Sequence, residues 1–290
     1  MQREQRADGR EAVRGGTPLG PGSLHWKYAG DGRTWLMIGF AALQAMHPGL
    51  AAGVAQHSNF FAEPWERSIR SAPEIQGVTY DWPNAARTAR KIREHHNEIK
   101  GHDQYGRRYH ALDPGIFFWA HATIFEALRR SVHFFDHPLS EEENERFYAE
   151  ARAHYSLYGL SERSVPVDWK DFERYFDNIC LEVLEKTSVI TQFEKWRHSA
   201  PPLPGIPKPV VRFFWPVLWR MVWWVAKGTL PPVVRDRFNL LWTAGHERRF
   251  RWFAGMVRRF WPLLPYRVRY SARARAGFQR VGYGPCSSRG

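Results

Sequence analysis

Two histidines in the first half of the chain have the spacing and surroundings of cofactor ligands. His96 lies in the segment 89–101, and His121 ends the segment 109–121. Helical periodicity places each of them on the apolar side of a predicted helix. A neutral imidazole in an apolar site that excludes most water is a ligand for iron or for a haem. The alternative is that both are core histidines whose rings hydrogen-bond to backbone carbonyls.

The first predicted helix runs from Pro83 to Lys100 and stops at Gly101. Its apolar stripe has spacings of four, three, four and three residues and consists of Ala85, Ala89, Ile92, His96 and Ile99. The small alanines leave room for a flat ligand beside His96. Arg93 precedes His96 by one turn and could reach an anionic group such as a carboxylate.

The second predicted helix begins at Asp113 and Pro114, because an acidic cap followed by proline is a strong helix start. Its stripe places His121 among aromatic and aliphatic residues: Phe117, Phe125 and Leu128. A second ligand, an orienting partner and a packed core residue all remain open for His121.

A short segment behind Pro64 carries Arg67, Arg70 and Ser71. Two guanidinium groups and one hydroxyl could bring positive charge and hydrogen-bond donors into a pocket. The alternative is a solvated turn whose arginines pair with nearby glutamates.

The rest of the chain also predicts helices, and no strand-like alternation persists for more than a few residues. We therefore expect one all-α, multi-helix domain over residues 22–280. Residues 1–21 are polar and rich in Gly and Pro, which predicts a disordered N-terminal arm. Residues 281–290 are expected to form a flexible tail.

The positive charge is confined to the last third of the chain. The formal charge is +13, yet residues 201–290 carry 17 Lys and Arg against 2 Asp and Glu, while residues 1–200 carry 25 against 27. Such an excess favours an acidic surface as partner. The chain has two cysteines and no N-terminal stretch of signal-peptide length, so we expect a reduced, cytoplasmic protein. The basic last third leads us to expect peripheral association with membranes.

The most apolar run, residues 210–226, is short for a bilayer span and contains two arginines and a proline. Trp215, Trp219 and Trp223 recur every four residues in it, and Arg248, Arg249, Arg251, Arg258 and Arg259 follow later in the chain. These tryptophans either form an interfacial face on anionic lipid or complete the core. Nucleic acid is not expected as a partner, because no binding motif accompanies the charge.

The order of these segments resembles a bacterial oxygenase family that includes the mycophenolic-acid-pathway oxygenase and the latex-clearing rubber oxygenase. The similarity runs from about Gly22 to about Gln279. The elements that carry it are His47-Pro48, Gly53, His57-Ser58, Pro64, Arg67/Arg70/Ser71, Arg93-x-x-His96, Gly101, Gly106, Tyr109, Leu112-Asp113-Pro114, Trp119-Ala120-His121 and Leu230-Pro-Pro…Arg235.

The resemblance implies an all-α fold that encloses one non-covalent haem b, with dioxygen and an apolar, isoprenoid or lipid-like substrate. It implies that His96 is the axial ligand and that Arg67, Arg70 and Ser71 lie near the other side of the haem. The family's Arg-x-x-Lys-Thr segment reads Arg67-x-x-Arg70-Ser71 here. An arginine practically cannot ligate iron, so a lysine-capped iron is not expected. The implied reaction is oxygen insertion or cleavage of a carbon–carbon double bond.

Two other functions remain as alternatives. A non-haem iron oxygenase would use His96, Glu98 and His121, although residues two apart on a helix point to different sides. A non-enzymatic helical protein at the membrane surface would use the histidines for structure alone.

Overall fold

The computed structural model of the chain describes residues 19–59, 62–195, 200–201 and 207–285. Helices dominate these residues, which confirms the predicted all-α class. Residues 1–18 of the predicted arm and residues 286–290 of the predicted tail lie outside the described part. The regular elements are α1 (Leu24–Tyr28), a 3-10 helix (Gly32–Met37), α2 (Gly39–Ala45), α3 (Pro48–His57), α4 (Pro64–Tyr80), α5 (Ala85–Glu94), β1 (Lys100–His102), β2 (Arg108–His110), α6 (Pro114–Phe135), α7 (Glu141–Ser156), α8 (Trp169–Asn178), a π-helical turn (Ile179–Val183), α9 (Ser188–Lys195), α10 (Lys208–Thr229), α11 (Pro232–Arg237), α12 (Ala244–Phe260), a second 3-10 helix (Trp261–Leu263), α13 (Tyr266–Arg269) and α14 (Ala272–Val281).

Local capping explains where two of the longest helices begin. The Asp113 carboxylate accepts the backbone N–H of Gly115 at 2.9 Å, one residue into α6. Ser140 and Glu143 form a reciprocal capping box at the start of α7. The start at Asp113 agrees with the sequence prediction.

The first histidine helix is shorter than predicted. It ends at Glu94, and residues 95–98 form turns before β1. The reason is a long-range pairing, because Lys100 to His102 join Arg108 to His110 in an antiparallel hairpin. Gly106 has φ +77° in the connecting loop, a conformation that favours glycine.

The core is centred on α6, which packs against α7 and α8. The Phe118 ring lies 5.2 Å from that of Tyr155 on α7, and the Trp119 ring lies 5.1 Å from that of Phe176 on α8. All four side chains are buried. His121 lies on the same helix and is buried in the interior by this packing.

Helices α4 and α5 run antiparallel as a pair. Glu74 of α4 accepts the Lys91 ammonium of α5 at 3.0 Å, and its other oxygen lies 3.8 Å from Nδ1 of His95. Glu74, just past the middle of α4, therefore lies beside the last turn of α5, after which His96 follows. This helix was predicted only as a short segment ending near Ser71, but it continues to Tyr80.

The tryptophans of α10 complete the core instead of forming an interfacial face. Trp215 and Trp219 are only 6% and 8% exposed, and the Trp215 ring lies 5.5 Å from that of Trp65 on α4. Trp223 is half-buried and stacks on Trp219. No helix in the described residues is long and apolar enough to cross a membrane.

Candidate functional site

His96 lies at a junction of α5, the hairpin and α6. Its Nδ1 donates to the carbonyl oxygen of Ile92 at 2.7 Å, and its half-buried ring meets the Phe117 ring edge-on at 5.7 Å. Because Nδ1 carries the proton in this hydrogen bond, the lone pair of the neutral ring is on Nε2. A backbone carbonyl that fixes the tautomer in this way is the usual partner of a metal-ligating histidine.

The hairpin next to His96 is fixed to α3 by Gln56 and by His57, whose Nε2 lies 3.2 Å from the carbonyl oxygen of Lys100. The side chain of Gln56 donates to the carbonyl oxygen of His102 at 2.8 Å and accepts from the hydroxyl of Tyr109 at 2.8 Å. A methyl group on Gly53 would lie 3.2 Å from Ile99 Cγ2, so α3 approaches this segment closely. Ile99 therefore contacts α3 from an extended segment and does not continue a helical stripe.

Arg93 holds backbone groups in the described structure. Its guanidinium donates to the carbonyl oxygen of Gly159 at 3.0 Å and, at 3.5 Å, to that of Tyr158. These carbonyls belong to the turn after α7, where Gly159 has φ +65°. Arg93 thus ties the end of α5 to the end of α7, which stabilises the position of His96 one turn later.

The arginine segment lies in the first half of α4. Ser71 is half-buried and lies one turn before Glu74, on the side of α4 that faces α5. Arg70 is exposed and pairs with Glu63 at 3.4 Å. Arg67 belongs to α4, but its side chain lies outside the described part. The structure brings Ser71 to the same end of the α4–α5 pair as His96.

His121 lies in a separate, fully buried site. Its Nε2 donates to the carbonyl oxygen of Ala151 on α7 at 2.9 Å. Burial lowers the pKa of His121 to about 4, so the ring is neutral near pH 7. The rings of Phe117 and Tyr158 lie 5.0 Å apart between His96 and His121. The two histidines are therefore not brought together.

Two further buried histidines surround His121, and the sequence analysis missed both. The His154 ring lies 5.2 Å from His121 and 5.8 Å from His25. His25 donates from Nδ1 to Glu150 at 3.1 Å, whereas Nε2 of His154 has no hydrogen-bond partner among the described residues. The signal for His154 was present, because it continues the stripe Phe147, Ala151, His154 and Tyr158 at spacings of four, three and four.

The residues of the non-haem iron alternative are not assembled. Glu98 is exposed and lies 3.4 Å from the Lys100 ammonium, while His121 is buried elsewhere. Within residues 19–59, 62–195, 200–201 and 207–285, no three His, Cys, Asp or Glu side chains form a group that could hold a metal ion.

The described residues form an all-α domain in which a backbone carbonyl fixes the tautomer of a histidine beside an aromatic ring. A sequence model described as the catalytic domain of the ER-bound oxygenase mpaB/B′ and of rubber oxygenase matches residues 26–259. The chain belongs to this family. It is therefore an oxidoreductase of the oxygenase class, and the resemblance predicted from the sequence is confirmed.

Relatives among curated proteins are distant. Uncharacterized proteins of Mycobacterium bovis and Mycobacterium tuberculosis are each 21% identical to this chain over 231 residues, which covers 78% of this chain and 88% of each relative. No solved structure matches the chain significantly.

Proposed function

We propose that this oxygenase depends on haem b, that His96 would hold its iron, and that the haem would supply the chemistry by which dioxygen reacts with an apolar substrate. The observation that carries the proposal is the hydrogen bond from Nδ1 of His96 to the Ile92 carbonyl, in a chain of this oxygenase family. This hydrogen bond fixes the plane of the ring and places the proton of the neutral imidazole on Nδ1.

Two neighbours of His96 support this proposal. The edge-on Phe117 ring supplies an apolar wall beside His96, and Arg93 holds the end of α5 through carbonyls of the α7 turn. A thiolate of Cys180 is not favoured as a ligand, because burial raises the pKa of this thiol to about 12 and keeps it protonated. Haem b would supply a redox-active iron for dioxygen chemistry.

The chain's own contribution opposite His96 is proposed to come from Arg67, Arg70 and Ser71. A guanidinium keeps its charge at all relevant pH values, so the arginines would donate hydrogen bonds and would not bind iron. The Ser71 hydroxyl can donate one further hydrogen bond to bound oxygen or substrate. We propose no direct role for His121, which supports the core on the far side of Phe117.

The substrate proposed from the resemblance is isoprenoid or lipid-like, with oxygen insertion or cleavage of a carbon–carbon double bond. Such a compound collects in lipid. Because the last third of the chain is strongly basic, we also propose that the enzyme works at an anionic membrane surface.

The test is a hemin titration of the purified chain, followed by absorption spectroscopy and by pyridine extraction of the haem. The wild type should bind one haem and show a Soret band, whereas His96→Ala should not retain it. His95→Ala is the matched control, because His95 is the exposed neighbour whose ring lies near Glu74. Added imidazole should restore haem binding to His96→Ala, since it replaces the lost ligand.

Three results would contradict the proposal. A wild type that binds no hemin would exclude haem dependence. Loss of haem in folded His121→Ala, with retention in His96→Ala, would show that the wrong ligand is assigned. Purified wild type that contains stoichiometric iron without porphyrin would favour the non-haem alternative.

A further inference from the structure

Helix α10 buries only a narrow stripe along its first fourteen residues. Val211, Trp215 and Trp219 follow one another at spacings of four and are each at most 8% exposed. Every other residue from Lys208 to Met221 is exposed. The helix is thus attached to the protein by one stripe and turns the rest of its circumference outward.

The outward face of α10 is apolar. Phe213 is 78% exposed, Val217 71%, Phe214 55%, Met221 52% and Val210 44%. At 100° per residue, these five side chains fall within an arc of about 100° opposite the buried stripe. A contiguous strip of this kind marks an interaction surface, because isolated exposed apolar residues are ordinary but a continuous patch is not.

One edge of this strip is basic. Arg212 and Arg220 lie on the same flank by helical periodicity, and both are exposed. The sequence of α10 from Lys208 to Thr229 contains four Lys and Arg and no Asp or Glu. Long cationic side chains beside an apolar strip can extend to phosphate groups while their stems cover apolar surface.

The positive charge of the last third indicates which kind of partner can bind the outward face of α10. Residues 201–290 carry 17 basic and 2 acidic side chains, so two copies that met through this face would bring like charges together. Anionic lipid supplies both the opposite charge and an apolar interior. Because no helix in the described residues could span a bilayer, α10 would lie in the interface plane.

We propose that α10 docks on an anionic lipid surface, with Phe213, Phe214 and Val217 below the headgroups and with Arg212 and Arg220 among the phosphates. The buried tryptophans take no part in this contact. The inference rests on the membrane association proposed above, names the face that carries it, and does not depend on haem.

The test measures binding of the full-length chain to vesicles by flotation. Vesicles of phosphatidylcholine with one quarter phosphatidylglycerol are compared with vesicles of phosphatidylcholine alone. The wild type should bind the anionic vesicles, and high salt should weaken binding. Phe213→Glu with Val217→Glu should lower the partition coefficient by at least about tenfold. Arg212→Gln with Arg220→Gln should lower it by roughly fivefold per arginine, on anionic vesicles only.

Val167→Glu is the matched control, since Val167 is 66% exposed but precedes α8 on another part of the surface. It should bind as the wild type does. Circular dichroism confirms that each variant is folded, which is expected because all altered side chains are exposed.

Failure of the wild type to bind either vesicle would overturn the membrane association itself. Wild-type binding that Phe213→Glu with Val217→Glu leaves unchanged would overturn the assignment to α10 alone. A wild-type dimer in light scattering that this double variant converts to a monomer, without vesicle binding, would show that the strip joins two copies and would refute the proposal.

Discussion

The buried position of His121 predicts a specific acid sensitivity of the fold. Burial lowers its pKa from 6.5 to about 4, with a smaller contribution in the same direction from His25. The unfolded chain therefore binds a proton at this position more readily than the folded chain does between pH 6.5 and pH 4. Neutral His121 therefore costs the folded state nothing above pH 6.5. As the pH falls from 6.5 to 4, the unfolded state gains a proton that the folded state does not, and the free energy of unfolding decreases.

The size follows from the shift. One pKa unit corresponds to about 1.4 kcal/mol, so the full shift corresponds to about 3 kcal/mol below pH 4. Lowering the pH from 8 to 5 should cost about 2 kcal/mol of unfolding free energy through His121 alone. Burial likewise lowers the pKa of His154, and that of His47 to about 4, so the wild type loses more than this single contribution.

The variant His121→Gln isolates the contribution. A glutamine side chain can donate to the Ala151 carbonyl but does not titrate. Urea unfolding at pH 8 and pH 5, followed by circular dichroism, should show a loss between the two pH values that is about 2 kcal/mol smaller in the variant than in the wild type. His95→Gln, at an exposed position, should leave the wild-type pH dependence unchanged.

Parallel pH profiles for His121→Gln and the wild type would refute this reasoning, because the buried imidazole would then carry no acid penalty. His121 also lowers the pKa of His154, so its removal reduces the acid penalty at His154 as well. Loss of the His121 titration and the smaller acid penalty at His154 both reduce the pH dependence of the variant's stability. The interaction between the two histidines therefore cannot mask the predicted difference.

Two further predictions concern packing and buried charge. Glu126 is 2% exposed, and its carboxylate accepts hydrogen bonds from two arginines of its own helix at 2.6 to 2.7 Å. Glu126→Ala should therefore lower the free energy of unfolding, measured by urea titration, by about 3–5 kcal/mol. A decrease below about 1 kcal/mol would contradict this prediction. Gly228→Ala would place a methyl group 2.5 Å from the Phe250 ring and should lower the free energy of unfolding by about 1–3 kcal/mol. A methyl group at Gly255 would have no neighbouring atom within 4 Å, so Gly255→Ala should raise the free energy of unfolding by up to about 1 kcal/mol. Thermal unfolding of both glycine variants measures the contrast, and equal melting temperatures would count against it.

Local chemistry explains the parts of the fold that the sequence predicted well. Asp113 and Ser140 cap helices through side-chain hydrogen bonds to residues two or three positions later. Such signals depend only on neighbours in the chain, and α6 begins where the sequence placed it. The predicted helix over residues 83–100 failed at its end because Lys100 pairs with His110, a contact that periodicity cannot indicate.

The candidate site residues His96 and Ser71 were proposed from the sequence and the resemblance, and their roles stay predictions. The sequence did not predict that Arg93 would hold the carbonyls of the α7 turn, which lie more than sixty residues away. The roles of Arg67 and Arg70 stay predictions.

By itself, the sequence determined the all-α class, the start of α6, the inward position of His121, and the concentration of positive charge in the last third. Only the tertiary structure decided the tautomer of His96, the partner of His121 and the outward face of α10. Residues on opposite sides of α10 are all apolar, so helical periodicity finds two apolar faces without choosing between them. In the folded protein, Trp215 packs against Trp65 and the surrounding core, whereas Phe213 on the other side of α10 stays exposed.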